Sequence, residues 1–249
     1  MGRAVYTLCR RELTRFFRQP SRIVGAAVTP LLFWLLIGSG FSGSFRMPGA
    51  PEGIGYLEYF FPGSIVLVLL FAAIFSNISV IEDRREGFLQ GVLVAPVPRW
   101  VIVAGKVLGG AFLAWVQGVA FLALAPLTGI PLSVTSALAA AGVLALLAVS
   151  LTAVGFAFAW ILDSVQGFHA IMNILLMPMW LLSGSLFPQS GAPAWLSAVM
   201  RINPLTHGVA AFRGALYGIP APLSVAVTLG LGIVAFAAGL FVTRGGRVE

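Results

Sequence analysis

His169, His207, Cys9 and Asp163 are the side chains on which an enzyme or metal site would first be sought in this sequence. The two histidines fall on opposite predicted sides of a membrane and no His-Glu-x-x-His run joins a pair, so a zinc site has no ligand set. Cys9 is the one cysteine, which excludes an internal disulfide and a multi-cysteine metal cluster. Gly105-Lys106 is followed by Val107, so no hydroxyl stands where a phosphate-binding loop needs one for magnesium. No Gly-x-Ser-x-Gly elbow occurs. Asp163 lies between long apolar runs at a predicted span exit, where it reads as a capping or snorkelling group rather than a proton relay. The chain is therefore expected to be non-catalytic, with no metal or cofactor of its own.

The elements around these residues are apolar. The chain has 249 residues, 59% hydrophobic and 9% charged, whereas an ordinary soluble domain is roughly 45–50% apolar and about 25% charged. So little polar surface cannot face water on all sides; a bilayer is the matching solvent. About 20 apolar residues span a hydrocarbon core of about 30 Å. On that measure six spans are expected, near 23–41, 60–81, 101–127, 133–162, 166–187 and 223–243. Pro126, Gly129 and Pro131 supply the turn that divides the long uncharged stretch between Lys106 and Asp163. The fold class is all-α, a single polytopic membrane domain over 1–249. Residues 43–55, rich in Gly and Pro, read as an external loop.

Charge placement predicts orientation. Twelve Lys and Arg residues fall with the two termini, the 82–100 loop and Lys106 just beyond it, against Arg46, Arg201 and Arg213 opposite. By the positive-inside rule both termini are expected in the cytoplasm of a plasma-membrane or inner-membrane protein. The net charge of +7 lies in these flanks, with no basic, aromatic-interleaved surface, so nucleic acid is not an expected partner. The first 20 residues are not a cleavable leader, because Arg3 to Arg22 precede any long apolar run. At about 100° per residue, Val5, Leu8, Cys9, Leu13, Phe16 and Phe17 share one face and Arg3, Arg10, Arg11, Arg15 and Arg18 the other. This predicts an interfacial helix, apolar face in lipid and arginines among head groups, ended by Pro20.

Two connections are longer than a turn needs. The cytoplasmic 82–100 loop carries Glu82, Asp83, Arg84, Arg85, Glu86 and Gly87, a stripe of Phe88, Leu89, Val92 and Leu93, and a close of Pro96 to Arg99. The external 188–222 segment is apolar but broken by Pro193, Pro204, Gly218 and Pro220. Two short helices fit it, near 194–201 and 205–217, too short to span and expected to dip into the outer leaflet and return. Asn77, Gln117 and Asn173 are polar, but no charge pair is embedded in the expected spans. An ion-coupled cycle thus lacks a coupling group.

The run Glu82-Asp83-Arg84-Arg85-Glu86-Gly87, the Leu-rich turn, Pro96-Val97-Pro98-Arg99 and Gly105-Lys106 resemble the loop signature of ABC-2 type transporter permeases. Arg11-Glu12-Leu13 through Pro20, Leu182-Ser183-Gly184 with Pro188, and Asn203-Pro204-Leu205-Thr206 through Arg213-Gly214 agree, so the resemblance runs over nearly the whole chain. In character it is nearest to the drug- and lipo-oligosaccharide-exporting members. The resemblance implies a permease that pairs with itself or a related permease. It implies a separate ATP-binding-cassette subunit holding ATP and magnesium, docked on a coupling helix over 82–95. Expected contacts are Glu82, Asp83, Arg84, Arg85, Glu86, Gly87, Leu89, Leu93, Pro96 and Arg99, with the 1–20 helix as a second contact or a collar. Asn203, Pro204 and Arg213 are candidates for an external gate, and Phe33, Trp34, Phe71 and Phe75 for a path taken by an amphiphilic drug or lipid-linked glycan. Two other readings stay open: a secondary transporter or flippase driven by an ion gradient through Asp163 or His169, and an anchoring subunit without transport.

Overall fold

The protein is described by a computed structural model covering residues 1–41, 55–94 and 96–244, with side chains omitted at 20–23. The expected external loop, Arg46, Ala95 and Arg247 therefore lie outside the described residues, apart from Gly55. The described residues are helical without strands. In chain order the helices are α1 (Gly2–Phe17), α2 (Pro20–Phe41), α3 (Tyr56–Arg85), α4 (Phe88–Val94) and α5 (Arg99–Leu122). Then come α6 (Val134–Ile161), α7 (Val165–Trp180), α8 (Ala194–Ile202), α9 (Pro204–Tyr217) and α10 (Pro222–Arg244). Six are long and apolar enough to cross a membrane: α2, α3, α5, α6, α7 with its π-helical extension Leu181–Ser185, and α10.

α3 is the axis of the bundle. Its run from Phe60 to Leu70 is buried on every side, among α2, α5, α6, α7 and α9. Only a helix apolar all round can be enclosed this way, and this stretch of α3 is interrupted only by Pro62, Gly63 and Ser64. α2 and α10 instead leave large side chains such as Leu36, Ile233 and Phe241 uncovered. In water an apolar surface of this extent drives association; in a bilayer, lipid tails cover it.

Three boundaries have clear local causes, and the first two differ from the sequence expectation. α1 ends at Phe17, before Pro20, and Pro20 instead opens α2, where the missing N–H costs nothing. The third span ends at Leu122 rather than near 127, because a 3₁₀ turn over Ala125–Thr128 closes on Gly129 at φ 90°. Ser133 and Ser136 then form a reciprocal capping box that starts α6.

The far end of α7 is irregular. It passes into a π turn and reverses at Gly184, whose φ of 77° suits a residue without Cβ. Such a break frees backbone carbonyls, which in apolar surroundings need donors. Each finds one. Asn203 Nδ2 donates to Met179 O at 2.6 Å, Ser183 Oγ to Trp180 O at 2.6 Å and Thr206 Oγ1 to Leu182 O at 3.2 Å. The Tyr59 hydroxyl donates to Gly184 O at 2.7 Å and the Tyr56 hydroxyl to Leu186 O at 3.0 Å. Asn203 also caps α9, its Oδ1 accepting from Leu205 N at 3.0 Å. Losing both bonds in Asn203→Ala should cost about 1–2 kcal/mol, read as a lower denaturation midpoint. An unchanged midpoint would show that the cap carries no weight.

Candidate functional site

The chemistry-bearing side chains gather at the end of the bundle where α3 and α6 finish and α5 begins. α1 lies against α5 through glycines: a Cβ on Gly105 would stand 2.6 Å from Leu8 Cβ, and one on Gly109 2.9 Å from Glu12 Cβ. The four-residue spacing of these glycines lets two backbones approach closely, and the Cys9 thiol donates to Gly105 O at 3.2 Å.

That approach places Glu12 inside the protein. Lys106 Nζ donates to Glu12 Oε1 at 2.5 Å and also to Asp83 Oδ2, while Ser79 Oγ donates to Glu12 Oε2 at 2.5 Å. Asp83 has no exposed surface and Lys106 only 4%. Asp83 further accepts a two-pronged contact from Arg11, both bonds 2.7 Å, and a bond from Arg15 Nη1. The Asp83 hydrogen bond holds the Arg11 guanidinium above its ordinary pKa, so it stays charged. Arg15 Nη2 reaches Glu82 and Glu86, each at 3.0 Å. Helices α1, α3 and α5 are thus tied by one alternating network of ion pairs. Arg11 also stacks over the Phe88 ring at 3.6 Å, which fastens α4 to the same network.

A second clamp lies beside it. Arg84 Nη1 donates to Asp163 Oδ1 at 2.7 Å and its Nη2 to Ala159 O at 2.7 Å, one of the last carbonyls of α6. Arg85 donates to Asp163 O through Nε at 3.1 Å and Nη2 at 2.6 Å. Asp163 therefore joins α3 to the α6–α7 turn.

Several sequence expectations change here. The short helix of the loop, expected over 82–95, spans Phe88–Val94, because Glu82 to Arg85 are the last turn of α3 and Gly87, at φ 78°, breaks the chain between them. Asp83, Arg84 and Arg85 are engaged within the chain, leaving Glu86, Gln90, Gly91 and Val94 as the outward face of this corner. Leu89 is buried beneath α4, Leu93 is half-buried, and Pro96 and Arg99 are exposed. On α1, Phe16 packs inward and Phe17 is exposed, Arg10 is exposed, and Arg11 and Arg15 turn to α3 rather than all facing head groups. The expectation of no embedded charge pair is overturned by Lys106 with Glu12 and Asp83. Glu12 and Lys106 stand in the sequence only as members of motif runs and Ser79 in none; the local signal for the site is Glu12 between Leu8 and Phe16 at helical spacing, a lone carboxylate on an otherwise apolar stripe.

The other candidates do not join this site. Trp34 is buried, edge-on to Phe61 and Phe121 at 5.5 and 5.9 Å, and donates to Leu57 O, so it fills the core. Phe33 is exposed, while Phe71 stacks on Phe75, which meets His169. At the opposite end, Pro204 opens α9 after Asn203. Arg213 donates to Tyr59 O at 3.1 Å and lies 4.2 Å above the Tyr59 ring. Among the described residues no group of His, Cys, Asp and Glu is arranged to hold a metal ion.

Several known proteins match this sequence over most of their length. The chain is 27% identical over 212 residues to a putative transport permease, ycf38, of Cyanophora paradoxa, covering 84% of this chain and 72% of the relative. It is 26% identical over 224 residues to the inner membrane transport permease YadH of Escherichia coli K12, covering 87% and 84%. To the daunorubicin resistance ABC transporter permease protein DrrB1 of Streptomyces coeruleorubidus it is 24% identical over 222 residues, covering 86% and 75%. The ABC-2 type transporter family matches residues 3–217. With six apolar spans and that match over most of its length, this multi-pass membrane protein belongs to the ABC-2 type transporter family, whose members normally pair with an ATP-binding subunit.

Proposed function

We propose that the chain is the non-catalytic membrane subunit of an ATP-binding-cassette exporter. It moves amphiphilic drug-like molecules or lipid-linked glycans outward across the plasma or inner membrane, driven by ATP and magnesium on a separate subunit. It pairs with a second permease, itself or a related chain, and both termini face the cytoplasm. The observation that carries this reading is the network joining α1, α3, α4 and α5. A push on the short helix α4 passes through Arg11 to Asp83 and Lys106, and so to the ends of two spans. Rigid, charge-tied helix ends transmit such displacement, where a loose loop absorbs it. Relatives named for daunorubicin resistance and for transport support the cargo class.

Val94 tests the docking role. It is 85% exposed on α4, so changing it leaves the core alone. Val94→Arg is expected to lower recovery of the ATP-binding subunit, and transport, about tenfold, the scale of losing one interface anchor. The thermal unfolding of the permease should not change. Normal recovery and transport in this variant would remove α4 as the contact.

A second reading, a carrier driven by an ion gradient, gains one observation: the buried Lys106, Glu12 and Asp83 form an ionisable set. It is separated by reconstitution without the ATP-binding subunit, where the exporter is inert and the carrier works.

A further inference from the structure

We infer that the cavity beneath α9 binds the anionic headgroup of an amphiphile, a phosphate or carboxylate, on Arg213. This deepens the proposed export function, on which it rests, by naming the chemistry of the cargo's polar end. The cavity has a volume of about 410 Å³ and lies at the irregular end of α7, between Tyr59 of α3 and the 213–221 segment. Its walls are largely apolar, with Met200, Val209, Ile219 and Ala221 among them.

Arg213 is the cation in this space. Its guanidinium uses Nη1 on the Tyr59 hydroxyl at 3.4 Å and Nη2 on Tyr59 O at 3.1 Å, and it rests on the Tyr59 ring. A guanidinium carries five N–H donors, so several are left without a protein acceptor among the described residues. No carboxylate pairs with it there either. Glu58, whose charge reaches Tyr217 at the cavity, forms no ion pair with Arg213. At the opposite end of the bundle, by contrast, the arginines drawn inward, Arg11, Arg15 and Arg84, each have a carboxylate. A half-buried guanidinium among apolar walls needs an anion to offset its lost hydration.

The remaining polar groups of the cavity do not compete for that anion. Ser183 donates to Trp180 O, Thr206 to Leu182 O, and Gln189 Nε2 to Ser197 O and Oγ. Burial first, then the Glu58 charge, pushes the Tyr217 phenol up to about 12, so it stays neutral and able to donate. One cation with free planar donors, one neutral phenol and apolar walls are the parts of a site for an oxyanion attached to a hydrocarbon.

The test is direct binding to the full chain in phosphatidylcholine nanodiscs, without nucleotide or ATP-binding subunit. The probes are radiolabelled oleoyl phosphate, uncharged monooleoylglycerol and inorganic phosphate. Oleoyl phosphate should bind about tenfold more tightly than monooleoylglycerol, and Arg213→Gln should erase that preference while Arg213→Lys keeps part of it. Displacement of oleoyl phosphate by millimolar inorganic phosphate assigns the site to the free anion as well; no displacement assigns it to the amphiphile headgroup. If Arg213→Gln does not fold, Ala210→Trp, at an exposed wall position, fills the cavity with Arg213 intact and should also abolish the preference. Equal binding of both lipids to the natural chain, or a preference that survives both variants, overturns the inference. Failure of the exporter reading shows separately, as no ATP-binding subunit recovered with the natural chain.

Discussion

Asp83→Ala should destabilise the folded protein by about 3–5 kcal/mol, the cost of removing one partner from a buried ion pair. Asp83 is fully enclosed, and three cations, Arg11, Arg15 and Lys106, converge on it. Arg11 and Arg15 lie on α1 near the surface and can turn to water. Lys106 cannot: its side chain is covered by α1, so the usual snorkelling escape of a lysine near a span end is closed. It would keep Glu12 and lose its second carboxylate. The variant should therefore unfold at lower denaturant, followed by tryptophan fluorescence in detergent. Lys106→Met added to Asp83→Ala should cost less than the two single losses together, by about 1–3 kcal/mol, because each removes the other's reason to be paired. A midpoint for Asp83→Ala within error of the natural chain would mean the network is ornamental. It would also remove the mechanical link from α4 to the spans.

The second large effect is expected at Gly63, at the other end of α3. A Cβ there would lie 2.5 Å from Ser185 Cβ, 2.8 Å from Ser185 Oγ and 2.9 Å from Ser185 Cα. The last of these is backbone, and it cannot swing aside as a side chain would. Trp180 Nε1 also donates to Gly63 O at 2.8 Å, so pushing the helices apart strains a buried indole bond. Gly63→Ala is expected to cost about 1–3 kcal/mol and Gly63→Leu more, as overpacking of a close-packed contact does. Ser185→Gly should restore part of the Gly63→Ala loss, since it removes two of the three clashing atoms. If Gly63→Leu folds with unchanged stability and transport, the close approach of α3 and the π turn is not required. Together the pair of variants weighs the two ends of one helix: a charge lock where α3 ends, a backbone contact near where it begins.

The sequence alone determined the solvent and the helices. Long uncharged runs admit only a bilayer, because backbone groups in hydrocarbon must bond within their own segment, and that condition yields helices of span length wherever the runs occur. Hence six spans, the two short helices α8 and α9, and the turn at Gly129 were legible. So was the separation of basic flanks from the rest. The motif around Glu82 to Arg99 carried the family resemblance, because residue identities at fixed spacing need no coordinates.

What only the tertiary structure decided is which charges are used up. Glu82, Asp83, Arg84, Arg85 and Glu86 read alike as outward contacts for a partner subunit. Yet Asp83 is enclosed by Arg11, Arg15 and Lys106, from segments 72 and 68 residues before it and 23 after it. Arg84 is bound by Asp163, 79 residues away. No local pattern encodes such pairings, since they depend on α1 settling against Gly105 and Gly109 and carrying Glu12 inward. Arg213 is the converse case. Its residue type and neighbours resemble those of any capped surface helix, and only folding places it over Tyr59 in a cavity with no carboxylate paired to it among the described residues. Hydrophobicity is a property of each segment and can be read along the chain; the partner of a charge is a property of the packed whole.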